Sequence, residues 1–576
     1  VDKNQQLIPI YEGVCHRDFR EMLNYIADEY KDLDAFIIKH KVKKEVTYEH
    51  IKFDAFRDHV NQLGTGLLKR GLKGKHIAIM SKNRYEWVVA YFATLCGIGK
   101  SVPLDKGLPF DETESSLVRS YADVFIFDPA HADIVAKLKE NNLTKITEFI
   151  CMEEMDGYLS LPQIIAEGKA AMEAGYTEYL EQEIDPKVSD IILFTSGTTS
   201  TSKAVLLSQY NILSNLYAML LTEEFYPGDV NMAFLPYHHT FGSTGQIVML
   251  ASGITTTFCD GLKYLQKNIV EYKVSVFVCV PLLIESIYKK IMQSVAKQGK
   301  EGKVKFGLAL SKFLLKFGID IRRKLFKEIL DQLGGNLRYV ISGASAIDPE
   351  AIEGFKNFGI TAVQGYGMTE ASPVIAAENP QFMRLGSIGK ALPGIEVRID
   401  EPNEEGVGEL IARGPNVMEG YFENPEETAK VIQDGWLHTG DLAYRDSDGF
   451  LFIRGRKKNV IVLKNGKNVY PEELEILVAN LPYVEENMVF GQKKHKDGDH
   501  KDLSICVKIV YNPEYMKEQF NATDPDEIES IIKKDIDVIN ESLPAYKQML
   551  RVIVTDEEMI KTTTGKVKRY QEEKNL

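Results

Sequence analysis

Hydrophobic positions along the chain alternate between two periods. Over 47–69 apolar side chains recur at Phe53, Phe56, Val60, Leu63 and Leu67, the spacing of one helix face, and Gly71 follows as a stop. The segment 76–80 then reads as a buried strand, 87–96 as a helix, 101–104 as extended chain, and 124–127 as a strand ahead of a helix over 133–139. The alternation resumes through 211–221, 232–235, 245–251, 254–258, 276–280, 337–341 and 360–363. Strand and helix taken in turn predict an α/β fold of doubly wound sheets. From about 395 the texture changes: 397–399, 408–412, 435–438 and 450–453 are short apolar segments separated by Gly, Pro and Asp turns, which predicts a small β-rich subdomain over 395–456. After Arg456-Lys457-Lys458 both kinds of signal restart. The expected division is a large N-terminal domain over 1–456 and a small α+β domain over 457–576.

With 576 residues the chain is too long for one ordinary core, in keeping with that division. A formal net charge of −14 argues against nucleic acid as a main partner, because that binding is driven by lysine and arginine neutralising phosphates. Six cysteines (Cys15, Cys96, Cys151, Cys259, Cys279, Cys506) lack C-x-x-C pairs, so neither a zinc site nor a disulfide framework is indicated, and they are expected to be reduced and mostly buried. The first residues are polar, and the most apolar run, 274–287, is too short to span a bilayer and contains Pro281. The expectation is a soluble, cytoplasmic protein. One segment departs from the acidic average: 296–330 holds ten Lys/Arg against three Asp/Glu, interleaved with Phe306, Leu310, Phe313, Leu314, Phe317, Ile321, Leu325 and Phe326. The favoured reading is a helical hairpin that packs on the domain with a solvated basic face. The alternative is a basic amphipathic helix lying peripherally on the inner face of an anionic membrane.

Candidate chemistry centres on Thr195-Ser196-Gly197-Thr198-Thr199-Ser200-Thr201-Ser202-Lys203, in which seven of the first eight residues carry a hydroxyl and the ninth is a lysine. Apolar runs at 191–194 and 204–207 flank it, so it reads as a loop between two buried strands. Hydroxyls, backbone N–H groups and one ammonium in a small volume can hold a polyanion, although the same composition also makes a Ser/Thr-rich linker. Directly after the expected strand at 360–363 comes Gln364-Gly365-Tyr366-Gly367-Met368-Thr369-Glu370. Here the glycines permit tight backbone geometry, Tyr366 offers a flat face to a purine, Thr369 a hydroxyl to a phosphate and Glu370 a carboxylate to a hard cation. His438-Thr439-Gly440-Asp441, with Asp441 able to accept two ribose hydroxyls, and Gly455-Arg456-Lys457-Lys458-Asn459 read equally as polar turns. Thr562-Thr563-Thr564-Gly565-Lys566 reads by itself as a solvated tail.

Together and in this order, these five stretches resemble the adenylate-forming superfamily of acyl-CoA synthetases, peptide-synthetase adenylation domains and firefly luciferase. Leu235-Pro236-Tyr237-His238-His239-Thr240-Phe241-Gly242, Gly408-Glu409-Leu410, Gly420-Tyr421-Phe422 and the run from Asn468 to Glu475 extend the resemblance over nearly the whole chain. It implies that Thr195, Ser196, Gly197, Thr198, Thr199 and Lys203 hold the ATP phosphates. Adenine would lie on Tyr366 beside Gly343, Ala344, Gln364, Gly365, Gly367 and Met368, with the ribose on Asp441 and Arg456. It further implies Mg2+ on Thr195 and Glu370, Thr369 at a phosphate, Lys566 between the attacking carboxylate and the α-phosphate, and Lys458 as the hinge on which the small domain swings. Chain length and the basic insert look most like long-chain fatty acid:CoA ligases. On that likeness His239, Gly245, Val248, Met249, Val280, Pro281 and Gly365 line an acyl tunnel or, equally, are ordinary core, and coenzyme A is the thiol, with Gly466 near its pantetheine. Loading of an acyl carrier protein, or a medium-chain or aromatic acid, is the alternative, and a homodimer is left open. Ser200, Ser202 and Ala204 depart from the family's loop, Ile560 replaces a common proline, and Val462 stands where many members have lysine.

Overall fold

The computed structural model describes residues 6–195, 202–345, 347–493, 502–561 and 567–576. Among these residues the strands of the large N-terminal part form two wound sheets. In one, Gly420–Tyr421, Lys203–Ser208, Ser189–Thr195, Gly99–Leu104, Lys75–Met80, Val124–Phe127, Glu148–Cys151 and Leu159–Ser160 lie side by side in that order. In the other the order is Lys390–Ala391, Val374–Ala377, Thr361–Gly367, Tyr339–Ser342, Val276–Cys279, Val230–Ala233, Thr255–Phe258, Asp34–Val42 and Glu45–Lys52. The middle of each sheet is parallel; the second sheet turns antiparallel at both edges, and the first at its Lys203–Ser208 and Gly420–Tyr421 edge alone, Leu159–Ser160 pairing parallel at the other. Helices cover both faces, which is why Val124–Phe127 is apolar at every position and buried at every position.

Helix Phe53–Lys69 shows how the pattern becomes packing. Phe53, Phe56, Val60, Leu63 and Leu67 are all fully buried. On its flank the helix Leu161–Glu173 comes so close that a Cβ at Gly168 would sit 1.8 Å from the Gln62 carbonyl oxygen. The six residues before it, read as helix from the sequence, are instead the end of the strand Glu45–Lys52. That strand pairs with Asp34–Val42 across a turn at Lys43, whose φ of 58° lies in the left-handed region. Its residues are exposed apart from Ile51, so no apolar alternation marked it.

The β-rich subdomain is a five-stranded sheet of Glu396–Asp400, Gly408–Arg413, Trp436–Arg445 and Ile432–Gln433, with Leu451–Arg456 added beside Trp436–Arg445. Further along, Val484–Lys493, Leu503–Tyr511 and Met549–Thr555 make a three-stranded sheet. Helices Pro471–Ala479 and Pro525–Glu541 close over a core of their own, with Val469, Leu474, Val489, Val507, Ile532 and Ile536 at its centre.

Gln364 to Gly367, expected just after a strand, continues the strand Thr361–Gly367, and His438 to Asp441, read equally as a polar turn, sits inside Trp436–Arg445, where a bulge facing the step from Glu409 to Ile411 absorbs Gly440 at φ 73°. The basic segment forms the helices Pro281–Lys297, Glu301–Leu315, Arg322–Leu325 and Lys327–Asp331. Phe326 enters the core there, but Phe306, Phe313 and Phe317 do not, contrary to the favoured reading of a hairpin that buries its apolar face. Cys96, Cys151, Cys279 and Cys506 are buried, Cys259 is half-buried and Cys15 exposed, all as free thiols. No helix of the described residues is long and apolar enough to cross a membrane.

The contact between Gly168 and Gln62 predicts that Gly168→Ala forces the two helices apart, at a loss of about 1–3 kcal/mol in urea unfolding; an unchanged midpoint would mean the helices slide freely.

Candidate functional site

The hydroxyl-rich loop bridges an antiparallel pair at the edge of the first sheet, where Thr195 lies opposite Lys203. Ser196, Gly197, Thr198 and Thr199 lie outside the described residues, as do Ser200 and Thr201. The loop's two ends are fixed. Thr195 Oγ1 donates to the Lys203 carbonyl at 3.3 Å, and Arg119 reaches from the helix Phe110–Arg119 to Ser202 Oγ at 3.2 Å while its guanidinium stands 5.2 Å over the Phe194 ring. The Lys203 ammonium lies 4.7 Å over the ring of Tyr421 and 2.7 Å from Glu427 Oε2. Glu427 also takes Lys430, and the two cations hold its carboxyl down to about 2.

Tyr421 has a second task. Its hydroxyl donates to Glu370 Oε1 at 2.9 Å, and burial followed by the Glu370 charge pushes the phenol far above its ordinary value. Glu370 is buried in a short turn of helix, Thr369–Ala371, just beyond the second sheet. The lysine of the phosphate loop and the carboxylate proposed for a cation therefore sit on two sides of one tyrosine. The cation site passes a chemical test: Mg2+ takes hard oxygen donors, Glu370 offers a carboxylate with one oxygen engaged by Tyr421, and Thr195 offers a hydroxyl. Among the described residues no group of three or more His, Cys, Asp or Glu could hold an ion.

The nucleoside side is built by strand register. Asp441 lies directly across from Arg456, whose Nε is 3.1 Å from Asp441 Oδ1. The Tyr366 hydroxyl donates to Asp441 Oδ2 at 2.6 Å, and burial with the Asp441 charge pushes that phenol up as well. An ionised carboxylate has about four acceptor sites, enough to keep such partners and receive ribose hydroxyls. Gly367 is required here, since a Cβ would fall 1.8 Å from the Pro373 carbonyl oxygen. Ala344 adopts φ 78°, a left-handed conformation unusual for a side-chain-bearing residue, beside buried Gly343. Below the motif, Gln364 donates through its amide to the Ser387 carbonyl, and its backbone N–H meets Glu378 Oε2 at 3.3 Å. Burial pushes the Glu378 carboxyl up to about 7.

The same strand ends meet the helix Thr240–Ala251. Thr240 and Thr369 hydroxyls are 3.3 Å apart, and His239, its ring tilted against that of His238 at 4.1 Å between centroids, precedes that helix. Phe241 touches Gly343, where a Cβ would come 3.0 Å from its ring and 3.3 Å from the Gly365 carbonyl. Of the acyl-tunnel candidates, Gly245 faces open space and Gly365 has nothing within 3.7 Å of an added Cβ. Val248 and Met249 are buried in the main core, Pro281 is buried at the start of Pro281–Lys297, and Val280 is half-buried just before it.

Arg456, Lys457, Lys458 and Gly440 line a cavity of about 340 Å3. Lys457 pairs with Glu409 at 2.8 Å, and Glu409 also accepts from His438 and from the Gly440 N–H at 3.0 Å. Burial works against the charged Glu409, but these donors outweigh it and hold the carboxyl below its usual range. Lys458 is pushed down, first by desolvation and then by Arg456. Gly466 turns the hairpin between Ile461–Val462 and Asn468–Val469 at φ 78°, and Val462 is exposed.

Lys566 lies outside the described residues, but both ends of its loop are held. Lys561 bridges to Val567, and the Ile560 N–H donates to Glu572 Oε1 at 2.6 Å, a bond the usual proline could not make. Glu572 is buried and paired with Lys508 at 2.7 Å. Tyr421 was visible in the sequence only as part of Gly420-Tyr421-Phe422, and Glu427, in the first turn of Pro425–Val431, carried no signal at all.

The profile of a family described as AMP-binding enzyme matches residues 25–422, and that of the AMP-binding enzyme C-terminal domain matches 458–576. The chain is 28% identical over 554 residues to a long-chain-fatty-acid–CoA ligase of Mycobacterium bovis, covering 89% of this chain and 88% of that protein. It is 29% identical over 489 residues to the peroxisomal long chain acyl-CoA synthetase 7 of Arabidopsis thaliana, covering 79% and 68% respectively. Among solved structures, an anthranilate CoA ligase in complex with anthranoyl-AMP superposes with a TM-score of 0.75 at 20% identity, over 99% of this chain and 98% of that one. ATP-bound MatB from Rhodopseudomonas palustris gives 0.72 at 23% identity, over 97% and 99%. At such identities these two structures establish the fold.

Glu378 gives a pH signature. Its folded pKa is raised from 4.5 to about 7, so the stability it contributes is complete below 4.5 and is lost as pH rises through 7. In thermal melts across that window Glu378→Gln should remove part of the decline seen in the unaltered protein; parallel curves would exclude a titrating Glu378.

Proposed function

The chain belongs to the AMP-binding enzyme family, and on that footing we propose that it is an ATP-dependent ligase that activates a fatty acid as its adenylate and passes the acyl group to coenzyme A. The observation that carries the reading is the pair of charges held by Tyr421: Lys203 over its ring and Glu370 on its hydroxyl, with the Asp441–Arg456 pair at the end of the neighbouring subdomain. A cation for phosphate, an acid for Mg2+ and a carboxylate for ribose are the three contacts that MgATP needs.

A carboxylate is a poor electrophile, because a thiol attacking it would have to expel oxide. Adenylation changes the leaving group. One carboxylate oxygen attacks the α-phosphorus and the bond to the β-phosphate oxygen breaks, releasing pyrophosphate. The thiolate of coenzyme A then adds to the acyl carbon, and AMP leaves. The protein's part is to position groups and neutralise charge. Lys203 with the loop from Thr195 grips the β- and γ-phosphates. Glu370 and Thr195 would hold Mg2+, which would supply further positive charge at those phosphates. Tyr366 backs the adenine, Asp441 and Arg456 hold the ribose, and Thr369 lies at the phosphate. Lys566 bridges the carboxylate and the α-phosphate, where one positive charge in a dry site counts for far more than in water.

For the acid we favour a long chain. The support is the set of curated relatives above, together with the open space at Gly245 and Gly365. A glycine inside a helix costs about 1 kcal/mol relative to alanine, so open space at Gly245 suits a guest more than a core. The domains of the reading are 1–456 and a mobile 457–576, turning near Lys458; the separate core of the latter and the family match beginning at 458 support this. The partners are the acid and coenzyme A, in the cytoplasm, with a peripheral membrane contact through 296–330.

Acid-dependent release of AMP and pyrophosphate, measured over a chain-length series with coenzyme A or a carrier protein as acceptor, tests the reading. Long acids with coenzyme A should give the highest kcat/KM; ADP as product, or a strict carrier requirement, would defeat it. Lys566→Ala should lower adenylate formation about a hundredfold or more while sparing thioester formation from supplied acyl-adenylate. Equal losses in the two half-reactions would refute that division of labour.

A further inference from the structure

The helix Glu301–Leu315 turns its apolar stripe to solvent. Phe306, Leu310 and Phe313 are spaced i, i+4, i+7 and so share one face, and Phe317 continues the row just past the last turn. Phe306 is 71% exposed, Phe313 57% and Phe317 67%, and the next apolar residue, Ile319, is 51% exposed. What rests on the domain is the opposite side. Gly307 and Ser311 are buried there, Val304 and Leu308 are half-buried, and a Cβ at Gly307 would stand 3.1 Å from Leu325 and 3.2 Å from Phe326. The fold thus packs this helix by its small residues and leaves three phenylalanines without a neighbouring core.

Charge narrows what could cover them. Lys305, Lys312 and Lys316 run along one side of the stripe and Lys303 along the other. Among the described residues Lys303, Lys305 and Lys316 make no ion pair, while Lys312 meets Glu353 at a loose 3.3 Å. This is a cationic, aromatic face on a chain whose net charge is −14. A second copy docking by the same face about a two-fold axis would set lysine against lysine. An anionic surface with an apolar interior satisfies both features at once: phosphates outside for the ammonium groups, acyl chains beneath for the rings.

We propose that the outward face of Glu301–Leu315 is a docking surface for an anionic lipid bilayer, with Phe306, Phe313 and Phe317 entering the headgroup boundary and Lys303, Lys305 and Lys316 pairing with lipid phosphates. A helix of 15 residues is about 22 Å long, enough to lie flat with its aromatic side submerged. The inference rests on the fatty-acid reading only for its purpose, since a water-poor acid is drawn from where it dissolves; the contact itself is independent of that chemistry.

The experiment is flotation of the full chain with vesicles of phosphatidylglycerol mixed into phosphatidylcholine, and with phosphatidylcholine alone, without ATP or acid. The unaltered protein should float with the anionic vesicles and lose binding as salt is added. Replacing Phe306, Phe313 and Phe317 together by Ser, or Lys303, Lys305 and Lys316 together by Glu, should each lower the partition coefficient about tenfold or more, with unchanged thermal melts. The proposal is overturned if the unaltered protein stays in solution at low salt, if it floats equally with uncharged vesicles, or if the Ser variant floats as well as the unaltered chain. It is overturned too if sedimentation shows a dimer that the same substitutions dissociate. Because no substrate is present, failure here leaves the ligase reading standing, and failure of the ligase assay leaves this one standing.

Discussion

One tyrosine holds the two halves of the candidate site in register. Tyr421 sits in the two-residue strand at the edge of the first sheet, while Glu370 follows the last parallel strand of the second, so their 2.9 Å hydrogen bond ties one sheet to the other. The tie is not alone. Asn416 Nδ2 donates to the Ala371 carbonyl at 2.8 Å, and Asn211 Nδ2 donates to the carbonyls of Pro415 and Val417, so the segment carrying Tyr421 is stitched on both sides. Buried polar groups of this kind are costly unless fully paired, and when paired they specify a single arrangement. Lys203 and Glu370 inherit their spacing from that stitching.

The subdomain solves a related problem by register. Asp441 and Arg456 are fixed by being opposite one another on adjacent strands, and the bulge facing Glu409 turns the backbone so that Asp441 meets Tyr366 from the second sheet. A turn could present the same residues, but a strand pair holds them with less freedom to lose on binding. Beside them, Glu409 gathers Lys457, His438 and the Gly440 N–H, which ties the residue after Arg456 back onto the sheet.

Much of this was legible in the sequence, and the failures have physical causes. Buried strands such as 76–80 and 124–127, and the helix carrying Phe56 and Val60, announced themselves because burial writes a period into the chain. The strand Glu45–Lys52 did not, being exposed along nearly its whole length. For the site, Lys203, Glu370, Asp441 and Arg456 were recognisable by their motifs and lie where partners can reach them. Tyr421 and Glu427 were missed as participants because their importance lies in what they touch across the fold. Phe306 and Phe313 were misjudged for the converse reason: helical spacing tells which residues share a face and leaves open whether that face points inward.

The ion pair between Lys203 and Glu427 bears on the cycle of any anion at this loop. Lys203 is already paired with the Glu427 carboxylate, so on the proposed reading a phosphate arriving there would exchange with one anion and would not fill a vacancy. Such an exchange keeps the lysine's charge compensated at every stage and spares the protein the cost of an isolated ammonium over the Tyr421 ring. It also sets a threshold. On that reading, a ligand whose phosphates do not reach Lys203 leaves the Glu427 pair intact, so this carboxylate acts as an internal competitor.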